Sequence, residues 1–181
     1  MTGRLRHNPH MVFFWRAFAI AVVLAISAPA SADVLKVGDH AVELQGATDA
    51  AGKAFKLGAL KDQWIVVTVG AKWCKPCAKE LPTWDKLAGV MNGKVKFVAV
   101  DIDEDPADGK DFHKKLKLRN LTLVYVKPDS TVSRYASDTM PTTMVIDPKG
   151  IVRVVKKGFD EKKKDGEFGS LKETLDKLLK G

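Results

Sequence analysis

Two strongly apolar runs, separated by a stretch of helical spacing, mark the centre of the chain. Residues 64–69 are β-branched and aromatic without alternating polar positions, and residues 95–100 are similarly apolar. Such runs are typical of strands buried on two faces. Over residues 75–91 apolar side chains recur every three to four positions, and Gly93 follows, which predicts a helix. We therefore expect a strand, a helix and a second strand, with the first strand in the middle of a sheet.

The remaining pattern continues this alternation. It predicts a helix over residues 105–118, strands over 122–126, 142–146 and 151–155, a turn at 147–150 and a last helix around 171–179. Residues 34–60 contain four glycines and predict short strands and turns, which form an N-terminal β extension. The order of elements indicates an α/β fold whose mixed sheet begins parallel, ends in an antiparallel hairpin and is covered by helices on both faces.

The first 32 residues have the pattern of an export signal. Residues 1–32 contain no acidic residue and three arginines, and an apolar run over residues 17–28 precedes small side chains at 30–32. This order is typical of a secretory signal peptide. The run is shorter than the roughly 20 residues that span a bilayer, so we expect cleavage, a periplasmic or otherwise exported protein, and a single domain over residues 33–181. A retained membrane anchor is the alternative.

Composition narrows the class further. The chain has 181 residues, 45% of them hydrophobic and 29% charged, which fits one globular domain and excludes disordered, collagen-like and multi-span membrane proteins. The net charge is +8, but no aromatic residues are interleaved with the lysine clusters, so a nucleic-acid partner is not expected. The two cysteines are too few for a disulfide-stapled scaffold.

The cysteines form the motif Cys74-Lys75-Pro76-Cys77, placed where a buried strand meets a helix. Unpaired N–H groups and the positive end of the dipole at a helix N-terminus favour a thiolate. We therefore expect the pKa of Cys74 to lie below the usual value of about 8.5 and Cys77 to be more buried and less ionised. A plain stabilising disulfide is the alternative, whereas haem attachment is excluded because Ala78 follows the motif.

With these motifs the sequence resembles the thioredoxin superfamily and, within it, the exported ResA/TlpA-like thiol:disulfide oxidoreductases. The resemblance spans about residues 34–179, and its most specific pieces are Trp73-Cys74-Lys75-Pro76-Cys77, Lys79-Glu80-Leu81-Pro82 and Met140-Pro141-Thr142-Thr143. It implies a thioredoxin-like fold, with a central mixed sheet flanked by helices.

The resemblance also implies roles for individual residues. The catalytic set would be Cys74 and Cys77, Pro141 in the cis form beside them, and Glu80 as an active-site carboxylate. The substrate-binding set would be Trp73, Lys75, Pro76 and Met140. The resemblance implies no cofactor or metal beyond the redox-active disulfide itself.

Some positions depart from the family pattern or from simple expectation. Thr68 stands where cytosolic thioredoxins carry a buried aspartate. Asp101, Asp103 and Asp105 follow the second strand with the spacing that opens a calcium-binding loop. Pro106 occupies the place of the glycine that such a loop needs. These acidic residues are therefore expected to cap the next helix instead. His40 and His113 are expected to be surface residues.

Two functional classes follow. The first is a monomeric enzyme that exchanges disulfides. The resemblance favours reduction of exported proteins, such as apocytochrome c or a copper-site subunit of an oxidase, with a transmembrane thiol carrier as electron donor. The second is a copper(I) carrier that uses Cys74, Cys77 and Met140, since soft sulfur ligands suit that ion. A peroxidase is a third possibility.

Overall fold

The computed structural model describes residues 2–3, 33–129 and 131–181. Every described helix and strand lies within the compact unit Ser31–Gly181. Apart from residues 2 and 3, the expected signal peptide lies outside the described residues. Among those that are described, no helix combines the length and apolarity that a membrane crossing requires.

A six-stranded mixed sheet forms the centre of the fold. Its strands are β1 (Thr48–Asp49), β2 (Trp64–Gly70), β3 (Val95–Asp101), β4 (Thr122–Tyr125), β5 (Thr142–Ile146) and β6 (Val152–Lys157), in the spatial order β1-β4-β3-β2-β5-β6. Strands β2, β3 and β4 are parallel to one another. Strand β5 is antiparallel to both of its neighbours, β2 and β6. The predicted central position of the first apolar run and the antiparallel end of the sheet are confirmed.

The α-helices pack on one face of this sheet. They are α1 (Cys77–Met91), α2 (Pro106–Leu116) and α3 (Lys164–Leu178). Side chains of α1 and α3 form an apolar cluster with residues of β2, β3 and β5, including Val66, Phe97 and Val145. Asp101, which by strand alternation points to the same face as Phe97, lies against α2.

The second face of the sheet is covered by the N-terminal extension. Leu35, Leu44 and Leu57 pack on the remaining side chains of the central strands, and short 3₁₀ helices at Leu57–Leu60 and Val132–Arg134 complete this layer. The sheet is therefore flanked by helices, as expected, but the α-helices lie on one face only, and the N-terminal extension with two 3₁₀ helices buries the second face.

Helix ends differ from the predicted bounds by a few residues. Helix α1 begins at Cys77 instead of residue 75, and α3 begins well before residue 171. The Asp105 side chain accepts a hydrogen bond from the Ala107 N–H at the start of α2, which confirms its predicted capping role.

Candidate active site

The two cysteines form a disulfide in the short segment between β2 and α1. The Cα atoms of Cys74 and Cys77 are 5.3 Å apart. Cys74 is 5% exposed and Cys77 is fully buried, so the predicted order of burial is confirmed. Because α1 begins at Cys77, Cys74 precedes the helix. The N–H of Cys77 lies 3.3 Å from the Cys74 sulfur and also donates to the Cys74 carbonyl at 3.1 Å.

A glycine gives Cys77 its place against the sheet. A Cβ atom at Gly70 would lie 3.0 Å from the Cys77 sulfur, closer than ordinary packing allows. The last residue of β2 therefore leaves room for the inner sulfur, and the outer sulfur of Cys74 is the one nearer to solvent.

Three of the predicted substrate-binding residues adjoin this pair in the sequence, and the fourth, Met140, precedes β5. Trp73 is 63% exposed, and Lys75 and Pro76 are also exposed. The Met140–Pro141 peptide bond is cis, with Met140 half-buried and Pro141 buried. Because Thr142 pairs with Val69 on β2, Pro141 lies at the same end of the sheet as the cysteine motif.

Glu80 is buried one helical turn after Cys77. One carboxylate oxygen accepts a hydrogen bond from the Thr68 hydroxyl at 2.6 Å, and the other accepts one from the Thr143 hydroxyl at 2.7 Å. The Trp84 indole N–H donates to the Thr143 oxygen at 3.3 Å. Burial raises the pKa of Glu80, while the hydrogen bonds from Thr68 and Thr143 oppose that rise.

The family resemblance predicts Glu80 as a site residue but does not predict the hydrogen-bonded side chains that surround it. Thr143 and Trp84 contact Glu80 or its partners, and the sequence motifs indicate a role for neither. The adjacency of Thr143 to the Met-Pro motif was the available signal. Its pairing with Thr68 across two strands cannot be read from local sequence.

A second polar group holds the loop in front of the motif. The Asp103 carboxylate accepts a hydrogen bond from the Lys72 N–H at 2.9 Å, and the Lys72 ammonium lies 2.6 Å from a carboxylate oxygen of Asp108. Burial, together with the nearby Asp103, raises the pKa of Asp101 to about 7. These contacts fix the segment that leads from β2 to Cys74.

One histidine expectation is wrong. His40 is exposed as predicted, but His113 is buried, and its ring contacts the Tyr125 hydroxyl at 3.2 Å. Burial lowers its pKa to about 4. The His113 side chain points from α2 towards β4. The charged residues that flank it in the sequence give no sign of this burial.

Within the described part of the chain, no group of three or more His, Cys, Asp or Glu side chains is arranged to hold a metal ion.

Comparison with known proteins agrees with this geometry. Residues 37–155 match the AhpC/TSA family. The thiol-disulfide oxidoreductase ResA of Bacillus cereus is 32% identical over 125 residues, covering 68% of this chain and 70% of that protein.

Solved structures show the same fold. The thioredoxin domain of a thiol-disulfide oxidoreductase from Bacteroides vulgatus is 21% identical with a TM-score of 0.67, covering 80% of this chain and 99% of that one. The exposed lipoprotein thioredoxin Etrx1 of Streptococcus pneumoniae is 26% identical with a TM-score of 0.59, covering 73% and 98%.

Fold, site and relatives together define a thioredoxin-like thiol-disulfide oxidoreductase with the cysteine pair Cys74 and Cys77. The chain belongs to the AhpC/TSA family.

Proposed function

We propose that this enzyme reduces disulfides in exported proteins, such as apocytochrome c or a copper-site subunit of an oxidase. The observation that carries the proposal is the pairing of a dithiol motif with a buried carboxylate: Glu80 lies one turn after Cys77 and is held between two strands. The arrangement supplies a nucleophile, a resolving thiol and a proton acceptor at one end of the sheet.

In the first step the Cys74 thiolate attacks one sulfur of the substrate disulfide. A bond forms between the Cys74 sulfur and that substrate sulfur, the substrate disulfide breaks, and the second substrate sulfur leaves as a thiolate that takes a proton from solvent. The Cys77 N–H directed at Cys74 and the nearby helix N-terminus favour the attacking thiolate. Exposed Trp73 and half-buried Met140 border the region that the substrate chain enters.

In the second step Cys77 resolves the mixed disulfide. Its thiol loses a proton to the Glu80 carboxylate, and the resulting thiolate attacks the Cys74 sulfur. The enzyme disulfide forms, and the remaining substrate sulfur departs as a thiolate. Two electrons pass from the dithiol to the substrate. The raised pKa of Glu80, caused by its burial, favours proton uptake from a buried thiol.

The cellular setting belongs to the same proposal. Residues 1–32 direct export and are cleaved, the mature enzyme acts as a monomer, and a transmembrane thiol carrier returns two electrons to the disulfide. The name of the pneumococcal relative, an exposed lipoprotein thioredoxin, supports an extracytoplasmic setting. Mass spectrometry of the exported protein should find Asp33 at the N-terminus, and a chain that retains residue 1 would overturn cleavage.

The enzymatic test uses two cysteine variants. Cys74→Ser should abolish insulin reduction, because it removes the attacking sulfur. Cys77→Ser should accumulate mixed disulfides between Cys74 and the substrate, which non-reducing electrophoresis detects. Wild-type turnover in both variants would overturn the mechanism. Titrating the reduced protein with copper(I) tests the carrier alternative, which stoichiometric tight binding without disulfide turnover would favour.

A further inference from the structure

A lysine continues the row of side chains that holds Glu80. In the sheet, Thr68 of β2 pairs with Thr143 of β5, and Thr143 pairs with Lys156 of β6. Directly paired residues of neighbouring antiparallel strands point to the same face. Thr68 and Thr143 both donate hydrogen bonds to Glu80. The third position of the row therefore places a cation on the face of the sheet where Glu80 is buried.

Lys156 is held in place from several sides. Its ammonium group donates to the Gly158 carbonyl at 2.7 Å and lies 3.0 Å from a carboxylate oxygen of Glu167 on α3. It also lies 5.8 Å from the centre of the Phe159 ring. The Lys156 and Glu167 side chains are only 24% and 18% exposed, whereas every other ion pair among the described residues has at least one well-exposed partner. Burial makes this pair less screened by solvent than the others.

The same lysine is linked through Gly158 to Pro141. Gly158, whose carbonyl accepts the Lys156 hydrogen bond, donates its own N–H to the Pro141 carbonyl at 2.7 Å. Phe159 packs edge-on against Trp84, with ring centres 5.8 Å apart. Trp84 in turn hydrogen-bonds Thr143, a partner of Glu80. Lys156 therefore contacts Gly158, which hydrogen-bonds Pro141. It also contacts the Phe159 ring, which packs against Trp84 beside Thr143.

We propose that Lys156 is a positioning residue that controls the charge of Glu80, and that Glu167 balances Lys156. The inference rests on the proton-accepting role of Glu80 proposed above. The groups that act on Glu80 from each packed element are Trp84 of α1, Thr68 of β2, Thr143 of β5 and Lys156 of β6, with Glu167 of α3 acting through Lys156. Lys156 brings positive charge to this set, and its charge opposes the rise in the pKa of Glu80 that burial causes.

Opposite charge changes must then have opposite effects. Lys156→Met removes the cation and leaves Glu167 uncompensated, so both consequences disfavour ionised Glu80 and its pKa rises. Glu167→Gln removes an anion and leaves Lys156 uncompensated, so the pKa of Glu80 falls. The double variant restores neutrality and should return the pKa towards the wild-type value. A purely structural role of the ion pair would move the pKa in the same direction in both single variants.

The test follows the Glu80 carboxyl carbon by ¹³C NMR as a function of pH. It uses the oxidised full-length protein, in which neither cysteine titrates, and Glu80→Gln identifies the signal. Lys157→Met is the matched control, because Lys157 is the next residue of β6, is exposed and points to the other face. It removes the same charge from the same strand, and the midpoint of the titration should stay at its wild-type position.

The expected result is a midpoint shifted to higher pH in Lys156→Met and to lower pH in Glu167→Gln, with Lys156→Arg close to wild type. Shifts of the same sign, or a control shift as large as that of Lys156→Met, would overturn the inference. If Lys156→Met does not fold, Glu167→Gln and the double variant still show in which direction the titration midpoint of Glu80 shifts. The measurement requires no turnover, so its failure is distinguishable from failure of the proposed function, which the insulin-reduction assays of the wild type and the two cysteine variants test.

Discussion

At the scale of single residues, the placement of Glu80 combines two opposing effects. Burial at 1% exposure disfavours its charged form, whereas two hydroxyl donors on neighbouring strands stabilise it. Thr68 stands where cytosolic thioredoxins carry a buried aspartate, and its hydroxyl donates to the Glu80 carboxylate on α1. The buried carboxylate of this site therefore lies on the helix, one turn after Cys77.

Replacing Glu80 with glutamine should change how stability depends on pH. The folded-state pKa of Glu80 is raised above 4.5, so the folded protein binds the proton more tightly than the unfolded chain does. Its contribution to stability is complete below pH 4.5 and is lost as the pH rises through the folded pKa. Relative to Glu80→Gln, the free energy of unfolding of the wild type should fall by up to about 1.4 kcal/mol per pH unit in that window.

Guanidinium unfolding of both proteins at a series of pH values measures this difference. Parallel stability curves for the two proteins would show that Glu80 is not perturbed. Glu173→Gln provides a control, because Glu173 is an exposed helix residue paired with Lys177, and the curve of this variant should follow the wild type in the same window.

The residues of the site differ in how far sequence could predict them. Cys74 and Cys77 carry their chemistry in a local motif, and Glu80 lies at fixed helical spacing from Cys77, so their placement follows from a short stretch of chain. Lys156 is separated from Glu80 by 76 positions (156 − 80). Its relevance comes from strand register, which depends on how β5 and β6 pair and which no local pattern specifies.

At the scale of elements, α2 packs on β3 through a glycine. A Cβ atom at Gly109 would lie 2.0 Å from a carboxylate oxygen of Asp101. That oxygen accepts a hydrogen bond from the Asp103 N–H, and Asp103 in turn holds the loop before Cys74 through Lys72. The close approach of this helix to this strand therefore depends on the missing side chain.

Gly109→Ala should destabilise the protein by about 1–3 kcal/mol, because the added methyl group overpacks a buried contact. Gly169→Ala in α3 is the matched control, since a Cβ atom there meets nothing within 4 Å. As an alanine replaces a glycine in an exposed helix, this control should be stabilised by about 0.5–1 kcal/mol. Thermal unfolding of both variants tests the pair, and equal effects of the same sign would contradict the packing argument.

Most helices and strands could be predicted from the sequence, whereas features that depend on tertiary packing could not. Apolar runs and helical spacing gave the central strands and α1, because burial acts directly on those patterns. The cover of the second face was not predicted, since the extension buries Leu35, Leu44 and Leu57 without regular helical or strand periodicity. The burial of His113 could not be predicted from the sequence either, because it depends on the packing of α2 against Tyr125.

At the scale of the whole molecule, one end of the sheet holds the reactive groups. The last residue of β2, Gly70, makes room for Cys77, and Pro141 comes just before β5. Glu80 accepts hydrogen bonds from both of these strands, through Thr68 of β2 and Thr143 of β5. The stability of the fold is therefore coupled to the redox state of the cysteines, because any preference of the folded site for the disulfide must appear in the free energy of unfolding.

The proposed direction of the reaction predicts the sign of this coupling. An enzyme that reduces its substrates gives up electrons readily, so its fold should favour the disulfide. By the thermodynamic cycle, the oxidised protein should then be more stable than the reduced protein by about 1.4 kcal/mol or more, which corresponds to a potential roughly 30 mV more reducing than that of the unfolded dithiol. Guanidinium unfolding with and without reductant measures the difference. The Cys74→Ser/Cys77→Ser double variant should unfold at the same guanidinium concentration in both conditions, and a reduced wild-type protein more stable than the oxidised one would assign the enzyme to the oxidants.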